Sequence, residues 1–255
     1  MSEDEGPRTS ADPPHAAARR YDQAWRDVYG DIQDLGPVHR HLRRILVAVL
    51  ADLRYADALE IGCGAGHNLA LLAGERPAGA IAGADVSGEA LRRARRRHDG
   101  RLFELDIERA ALAGAWDLVF SSLVLEHLAD DEAALRHMRA MTRRHVLIAT
   151  IAGDRERYLP YEARIGHVRN YRRGELEAKL ERAGLAVRRA IYWGFPFYSP
   201  LARRAQRRWR PEPSFGAGAR IAARALHALY WLNSSRRGDL LIVHAEVGEA
   251  ASMGA

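Results

Sequence analysis

The sequence predicts an α/β protein built on a doubly wound, mostly parallel β-sheet, and three observations carry that prediction. Between about residues 58 and 150, short apolar runs alternate with segments of helical periodicity, the pattern of parallel strands joined by crossover helices. The first run, Ala58-Leu59-Glu60-Ile61, breaks into Gly62-Cys63-Gly64-Ala65-Gly66 and passes at once into a helix-like segment over 67–75. The second, which begins at Ala80, ends on a lone acid, Asp85. Glycines spaced by two let the backbone take positive φ and approach a ligand closely, and the helix that follows opens with N–H donors lacking intrahelical partners. A carboxylate closing the neighbouring strand is placed to accept hydrogen bonds from both hydroxyls of a ribose. Together they read as a nucleoside-cofactor site.

The elements follow in order. Residues 1–15 are polar with Pro13-Pro14 and read as a disordered tail. Residues 16–29 form a helix carrying Tyr21, Trp25 and Val28 at helical spacing. Pro37 suits the first turn of a second helix, in which Leu42, Ile45, Leu46, Val49, Leu50 and Leu53 make one buried stripe. These two helices make residues 16–54 an N-terminal helical cap. The core, 55–193, has strands beginning near Ala58, Ala80, Leu102, Asp117 and His145. Helices are expected over 88–98, with Ser87 as N-cap, and over 131–141. A helix over 173–183, closed by Gly184, leads to a sixth strand at 185–193. The seventh lies at 240–247, within a final core segment of 239–248 followed by a tail of 249–255. The insert between the last two strands, 194–238, is too long for a hairpin loop. It holds Phe195-Pro196-Phe197-Tyr198, an arginine block and an apolar helical run over 221–232, and reads as a lid or acceptor-binding appendage.

The dinucleotide fingerprint G-x-G-x-x-G would need glycine at position 67, which is His67. The spacing here is G-x-G-x-G, with Glu60 two residues before the first glycine. Downstream, Asp106 follows the strand-like run 101–105, and Trp116-Asp117-Leu118-Val119-Phe120-Ser121-Ser122 leads into Leu123-Val124-Leu125-Glu126-His127-Leu128. This ordered set, spanning 58–151, resembles class I S-adenosylmethionine (SAM)-dependent methyltransferases. The resemblance implies the Rossmann-like methyltransferase fold, with seven strands of which the seventh runs antiparallel between the fifth and sixth. It implies SAM as cofactor, held by Glu60, Gly62, Gly64, Gly66, Asp85, Val86, Asp106, Ile107 and Ser121, with Asp106 on the adenine amino group and the Ile107 N–H on the ring. Tyr21 and Trp25 could cover the methionine end, with Arg43 or Arg44 near its carboxylate; equally, their helices simply pack on the sheet. Glu60 to Gly66, Asp85, Asp106 and Ser121 all fall at carboxyl ends of strands, where such sheets bind ligands.

Methyl transfer from a sulfonium gains much of its rate from positioning, and needs a base only for an unactivated hydroxyl or a protonated amine. His127 is the candidate base, because it follows the fourth strand; the alternative is a histidine that packs or caps a helix. His167, in Gly166-His167-Val168-Arg169, is the second candidate. With Arg169 it could bind an acidic or phosphorylated acceptor, or order its loop. Asp130-Asp131-Glu132 opens a helix and reads as dipole stabilisation, so no metal is assigned.

The net charge of +6 rests on arginine, Lys179 being the only lysine, and arginines crowd the last quarter of the chain. Such a block can attract phosphates, nucleic acid or an anionic membrane. Its aromatics sit at one end and not along a basic groove, and the fourth strand does not end in Asn/Asp-Pro-Pro-Tyr, so no stable nucleic-acid partner is expected. One cysteine, Cys63, excludes a disulfide framework, and no run approaches the length needed to span a bilayer. The N-terminus lacks the pattern of a secretory signal, and the expected location is cytoplasmic. The function expected is methylation of a small-molecule acceptor, with oxygen favoured over nitrogen or carbon, in secondary-metabolite or glycan biosynthesis. The alternative is a lipid-linked or membrane-surface acceptor reached through Phe195, Phe197, Tyr198, Leu201 and Trp209. An NAD-dependent oxidoreductase and a non-enzymatic fold relative rank lower. The sequence does not fix the oligomeric state.

Overall fold

Seven strands run through the described residues of the computed structural model, which are 16–27, 29, 31–74, 80–206 and 214–248. They are β1 (Ala58–Ile61), β2 (Ile81–Asp85), β3 (Arg101–Glu104), β4 (Trp116–Ser122), β5 (Thr142–Ile151), β6 (Leu185–Trp193) and β7 (Leu240–Val247). The helices are α1 (Ala16–Asp27), α2 (Asp31–Leu35), α3 (Pro37–Ala51), α4 (His67–Ala73), α5 (Gly88–Ala94), α6 (Asp131–Ala140), α7 (Leu159–Arg164), α8 (Glu175–Arg182), α9 (Arg203–Gln206) and α10 (Ala217–Tyr230). The two tails, Val28, Glu75 and residues 207–213, including Trp209, lie outside the described residues.

The sheet order is β3-β2-β1-β4-β5-β7-β6, with β1 to β5 parallel and β7 antiparallel to both β5 and β6. The chain winds outward from β1 through β2 to β3, then crosses back to lay β4 on the other side of β1. A crevice therefore opens at the carboxyl ends of β1 and β4, where Ile61 pairs with Ala84 and with Ser121. The antiparallel β7 follows the arrangement the family resemblance implies.

Both faces of the sheet are apolar, as helices on each side require. Leu59, Ile61, Val119, Val146 and Ile148 meet Leu135 and Met138 of α6 and Leu176 and Leu180 of α8. The alternate residues Ala58, Leu118, Phe120 and Leu147 meet the α3 stripe (Leu42, Ile45, Leu46, Val49) and Leu69 and Leu72 of α4. Helix boundaries follow local chemistry. Ser87 caps α5 by accepting the Ala90 N–H at 3.1 Å, and Asp130 caps α6 by accepting that of Ala133 at 2.8 Å. Three expected helices are shorter than their apolar pattern. The run from 67 stops at Ala73 because Gly74 (φ 49°) follows, that from 88 stops at Ala94, and that over 173–183 begins only at Glu175, after Gly174 (φ 81°). The insert helix α10 starts a turn earlier than expected, after extended Gly216, and packs on α3.

Candidate active site

The loop after β1 is drawn tightly under the crevice. A side chain at Gly62 would collide with Val124, and one at Gly64 with the Trp25 ring, and both residues take positive φ (70° and 53°). Asp85 ties this loop to the turn after β2. One carboxylate oxygen accepts the Gly64 N–H and the other the Ser87 N–H, each at 2.8 Å. Burial raises the Asp85 carboxyl to about 6 even though these N–H bonds pull the other way. Glu60 is 1 % exposed; Oε1 accepts from Asn68 Nδ2 at 2.8 Å, whereas Oε2 is buried without a hydrogen-bond partner. Burial pushes the Glu60 carboxyl up to about 8. Asp106 holds the turn after β3 by accepting the Glu108 N–H at 3.1 Å, and the Ile107 carbonyl is held by His137 at 2.7 Å.

Helix α1 closes over this half. Its Asp22 carboxylate accepts from the Ser87 hydroxyl (2.6 Å) and the Glu89 N–H (2.9 Å), fastening the helix to the start of α5. That bond places Trp25 on the glycine loop and turns Tyr21 edge-on to the His127 ring at 6.0 Å.

Beyond β4 the backbone passes through Leu123 at φ 57°, a costly value for leucine, into a 3-10 turn over Leu125–His127. The turn presents Glu126 and His127. Nδ1 of His127 lies 3.1 Å from the Gly166 carbonyl, which can only accept, so this nitrogen carries the proton and Nε2 is the basic one. The His167 ring stands edge-on to His127 at 4.6 Å, with its Nδ1 donating to Glu162 Oε2 at 2.5 Å. Glu162 is also paired with Arg203, which reaches Asp239 at 2.9 Å and lies over the Tyr158 ring at 4.1 Å. Burial alone would raise the Glu162 carboxyl, but the His167 hydrogen bond and the Arg203 charge outweigh it and hold it below the usual range. Glu126 is the opposite case. It is fully buried, Oε2 accepts from the Thr150 hydroxyl at 2.7 Å, Oε1 lies 4.0 Å from His167 Nε2, and burial raises its carboxyl.

Both halves open into one cavity of about 680 Å³, whose wall includes Glu60, Gly64, Asp85, Asp106, His127 and His167. That volume accommodates a nucleoside-sized cofactor beside a second small ligand. The ligating atoms of Glu126, His127 and His167 lie within 4.8 Å of one another, close enough to share a cation.

The methyltransferase-domain family matches this chain over residues 35–190, more than half its length. The chain belongs to that family. Its fold is similar to magnesium protoporphyrin IX methyltransferase from Synechocystis PCC 6803, solved with bound SAM, at 16 % identity and TM-score 0.59 over 94 % of this chain and 100 % of the other. It is also similar to the N-methyltransferase NodS from Bradyrhizobium japonicum WM9, solved with S-adenosyl-L-homocysteine, at 20 % identity and TM-score 0.56 over 85 % and 91 %. A third similar chain is the StiE O-methyltransferase segment, at 17 % identity and TM-score 0.53 over 84 % and 75 %. No curated protein matches the sequence.

In this methyltransferase the cavity brings together Tyr21, Arg43, Glu60, Gly62, Gly64, Asp85, Val86, Asp106, Ile107, His127 and His167. It does not bring in Gly66 or Ser121. Gly66 caps α4 from behind the loop, and Ser121 is fully buried in β4, so the wall there is Ser122. Arg43 reaches the cavity but donates to the Gln33 and Asp34 carbonyls, while Arg44 points away and stacks on Trp231 at 4.4 Å. Asp131 is more than a helix-dipole acid. It is buried, accepts from Lys179 at 2.7 Å and Tyr171 at 2.7 Å, and pairs with Arg169, which ties that arginine to the protein instead of leaving it for an acceptor. Arg203 is likewise no free cation of the arginine block, being 2 % exposed. The aromatic segment is also largely packed away: Tyr198 is buried and Phe195 and Phe197 are half-buried, with only Leu201 exposed. Asp22, Asn68, Glu126, Glu162 and Arg203 were not legible as site residues. Asp22, Glu126 and Arg203 have partners 65, 24 and 41 residues away, Asn68 and Glu162 meet Glu60 and His167 nearby but without a recognisable spacing, and only the Glu-His pair at 126–127 carried a local signal.

Proposed function

We propose that this methyltransferase binds SAM in the glycine-loop half of the cavity and methylates the hydroxyl of a small-molecule acceptor held at His127, in the cytosol. The observation that carries the reading is one cavity shared by a ribose-type acid, Asp85, and a histidine whose basic nitrogen is fixed by a carbonyl. The donor half fits SAM. Glu60 Oε2 is a buried carboxylate oxygen lacking a partner, suited to an ammonium group. Asp85, which already accepts the Gly64, Ser87 and Val86 N–H groups, keeps one oxygen lone pair for a ribose hydroxyl, and Gly62 and Gly64, both at positive φ, hold the loop beside it. Asp106 and Ile107 would receive the adenine. When bound, SAM supplies an electrophilic methyl group on sulfur.

The chain's own task is to align the acceptor and take its proton. The acceptor oxygen bonds to the methyl carbon as the carbon–sulfur bond breaks, and the hydroxyl proton passes to His127 Nε2. His167, oriented by Glu162 and Arg203, supplies a polar contact for the acceptor beside it. A hydroxyl acceptor is favoured because it needs such a base, and because Ser121-Ser122-Leu123 ends β4 where base-amino methylation would use Asn/Asp-Pro-Pro-Tyr. The test is transfer of labelled methyl from SAM into metabolite extracts. Label in a small molecule, lost in His127→Ala with SAM affinity intact, supports the reading. Label confined to protein or nucleic acid, or unchanged transfer in the variant, contradicts it.

A further inference from the structure

We propose that the surface formed by α10 and the adjoining part of α3 docks on an anionic lipid bilayer, and that the acceptor is an amphiphile drawn from it. At 100° per residue α10 has two apolar faces. One, with Ala223 and Tyr230 buried, faces the protein; the other carries Ile221, Ala225, Ala228 and Leu229, with Leu232 just past its end, and all five are exposed. Ile221 and Leu232 are each 68 % exposed and Trp231 is 58 % exposed. Val47, one turn along α3 from Arg44, is exposed as well. A monomer rarely leaves this much contiguous aliphatic surface in water.

The charge around the patch selects the occupant. Residues 214–238 contain Arg220, Arg224, Arg236 and Arg237 and no acid, and α3 carries Arg40 and Arg44, besides the cavity residue Arg43, and no acid. A second copy of the same face would set arginine against arginine, whereas an anionic surface neutralises the whole group. Arg44 over the Trp231 ring, at 4.4 Å, places a cation and an amphipathic aromatic at the rim of the patch.

The cavity points the same way. Val38 and Leu42 of α3 line it opposite Ala219, Ala222, Ala223 and Leu226 of α10, and Ala219, Ala222 and Leu226 are also exposed, so it opens along α10. Its polar end is the histidine pair and its open end is aliphatic. An acceptor with a polar head and an apolar chain fits that gradient, the head at His127 and the chain leaving along α10 toward the bilayer. The acceptor half of this inference rests on the methyl-transfer reading; the docking half does not.

Co-sedimentation with vesicles of phosphatidylcholine, and of phosphatidylcholine mixed with phosphatidylglycerol, tests the docking without SAM or acceptor. The protein should bind the mixed vesicles, bind phosphatidylcholine alone weakly, and dissociate as salt is raised. Ile221→Glu with Leu232→Glu should lower binding at least ~10-fold, since both side chains are the apolar contact. Both positions are exposed, and unchanged SAM affinity by calorimetry would show the variant folded. Arg224→Gln with Arg236→Gln should flatten the salt dependence. Binding to neither vesicle, or undiminished binding of the glutamate variant, overturns the proposal. So does a wild-type dimer that the same variant converts to monomer without vesicle binding. Labelled methyl should partition into the organic phase of a lipid extract; label only in the aqueous phase overturns the acceptor half. SAM binding without vesicle binding would sink this inference and leave the donor site standing.

Discussion

Glu60 is the residue whose behaviour follows most directly from its surroundings. A carboxyl raised to about 8 keeps its proton in the folded protein, while the unfolded chain gives it up near the ordinary 4.5. The folded state thus binds the extra proton, so the contribution to stability is full below about pH 4.5 and is lost as pH rises through about 8. Glu60→Gln should remove that slope and raise the melting temperature of the ligand-free protein above neutrality, read from melts across the pH range. A cation bound at Oε2 favours the ionised form, so SAM binding at pH 7 should release about one proton. Calorimetric enthalpies would then vary with the ionisation heat of the buffer, and buffer-independent enthalpies would remove Glu60 from the site. Arg203 and Glu162 make a different prediction. Both are buried, so Arg203→Met strands a carboxylate and should cost about 3–5 kcal/mol in urea unfolding. A loss below the ~1 kcal/mol typical of a surface pair would contradict that burial.

Among the elements, α1 depends most on one contact. Its hold on the site is Asp22 bridging to the first turn of α5, with Trp25 laid on the glycine loop as the result. Asp22→Ala removes charge-assisted bonds worth about 1.5–3 kcal/mol each, so SAM affinity should fall roughly 10-fold or more while the sheet stays intact. Unchanged affinity would make α1 a packing element only. This scale also separates what was legible from what was not. The strands and the glycine loop announced themselves because apolar runs and glycine spacing are local signals, and Asp85 could be placed because it closes a strand. Asp22 is 65 residues from Ser87 and Arg203 is 41 from Glu162, so their pairing depends on the sheet having formed. Within the arginine block, Arg203 departs from the expectation for the same reason. Composition cannot tell an arginine buried on a carboxylate from one facing solvent. Ser121 illustrates period two: it lies one residue before the end of the right strand but is fully buried, and its neighbour Ser122 takes the cavity.

At the scale of the molecule, a seven-stranded sheet with a switch point between β1 and β4 gathers residues from both ends of the chain around one cavity. Tyr21 comes from the N-terminal cap, His127 from the core, Arg203 from the insert. No helix among the described residues is long and apolar enough to cross a membrane. A ligand filling the cavity should stabilise the fold as a unit. SAM at a hundred times its dissociation constant contributes about 2.7 kcal/mol, a rise of roughly 5–10 °C in Tm for a domain of this size. The central claim is that Asp85 and the glycine loop form a SAM site, and titration calorimetry of SAM into the wild-type protein and Asp85→Ala tests it most directly. Micromolar binding by the wild type that disappears in the variant is the predicted result. Absence of SAM binding to the wild type, or equal affinity in the variant, would contradict it.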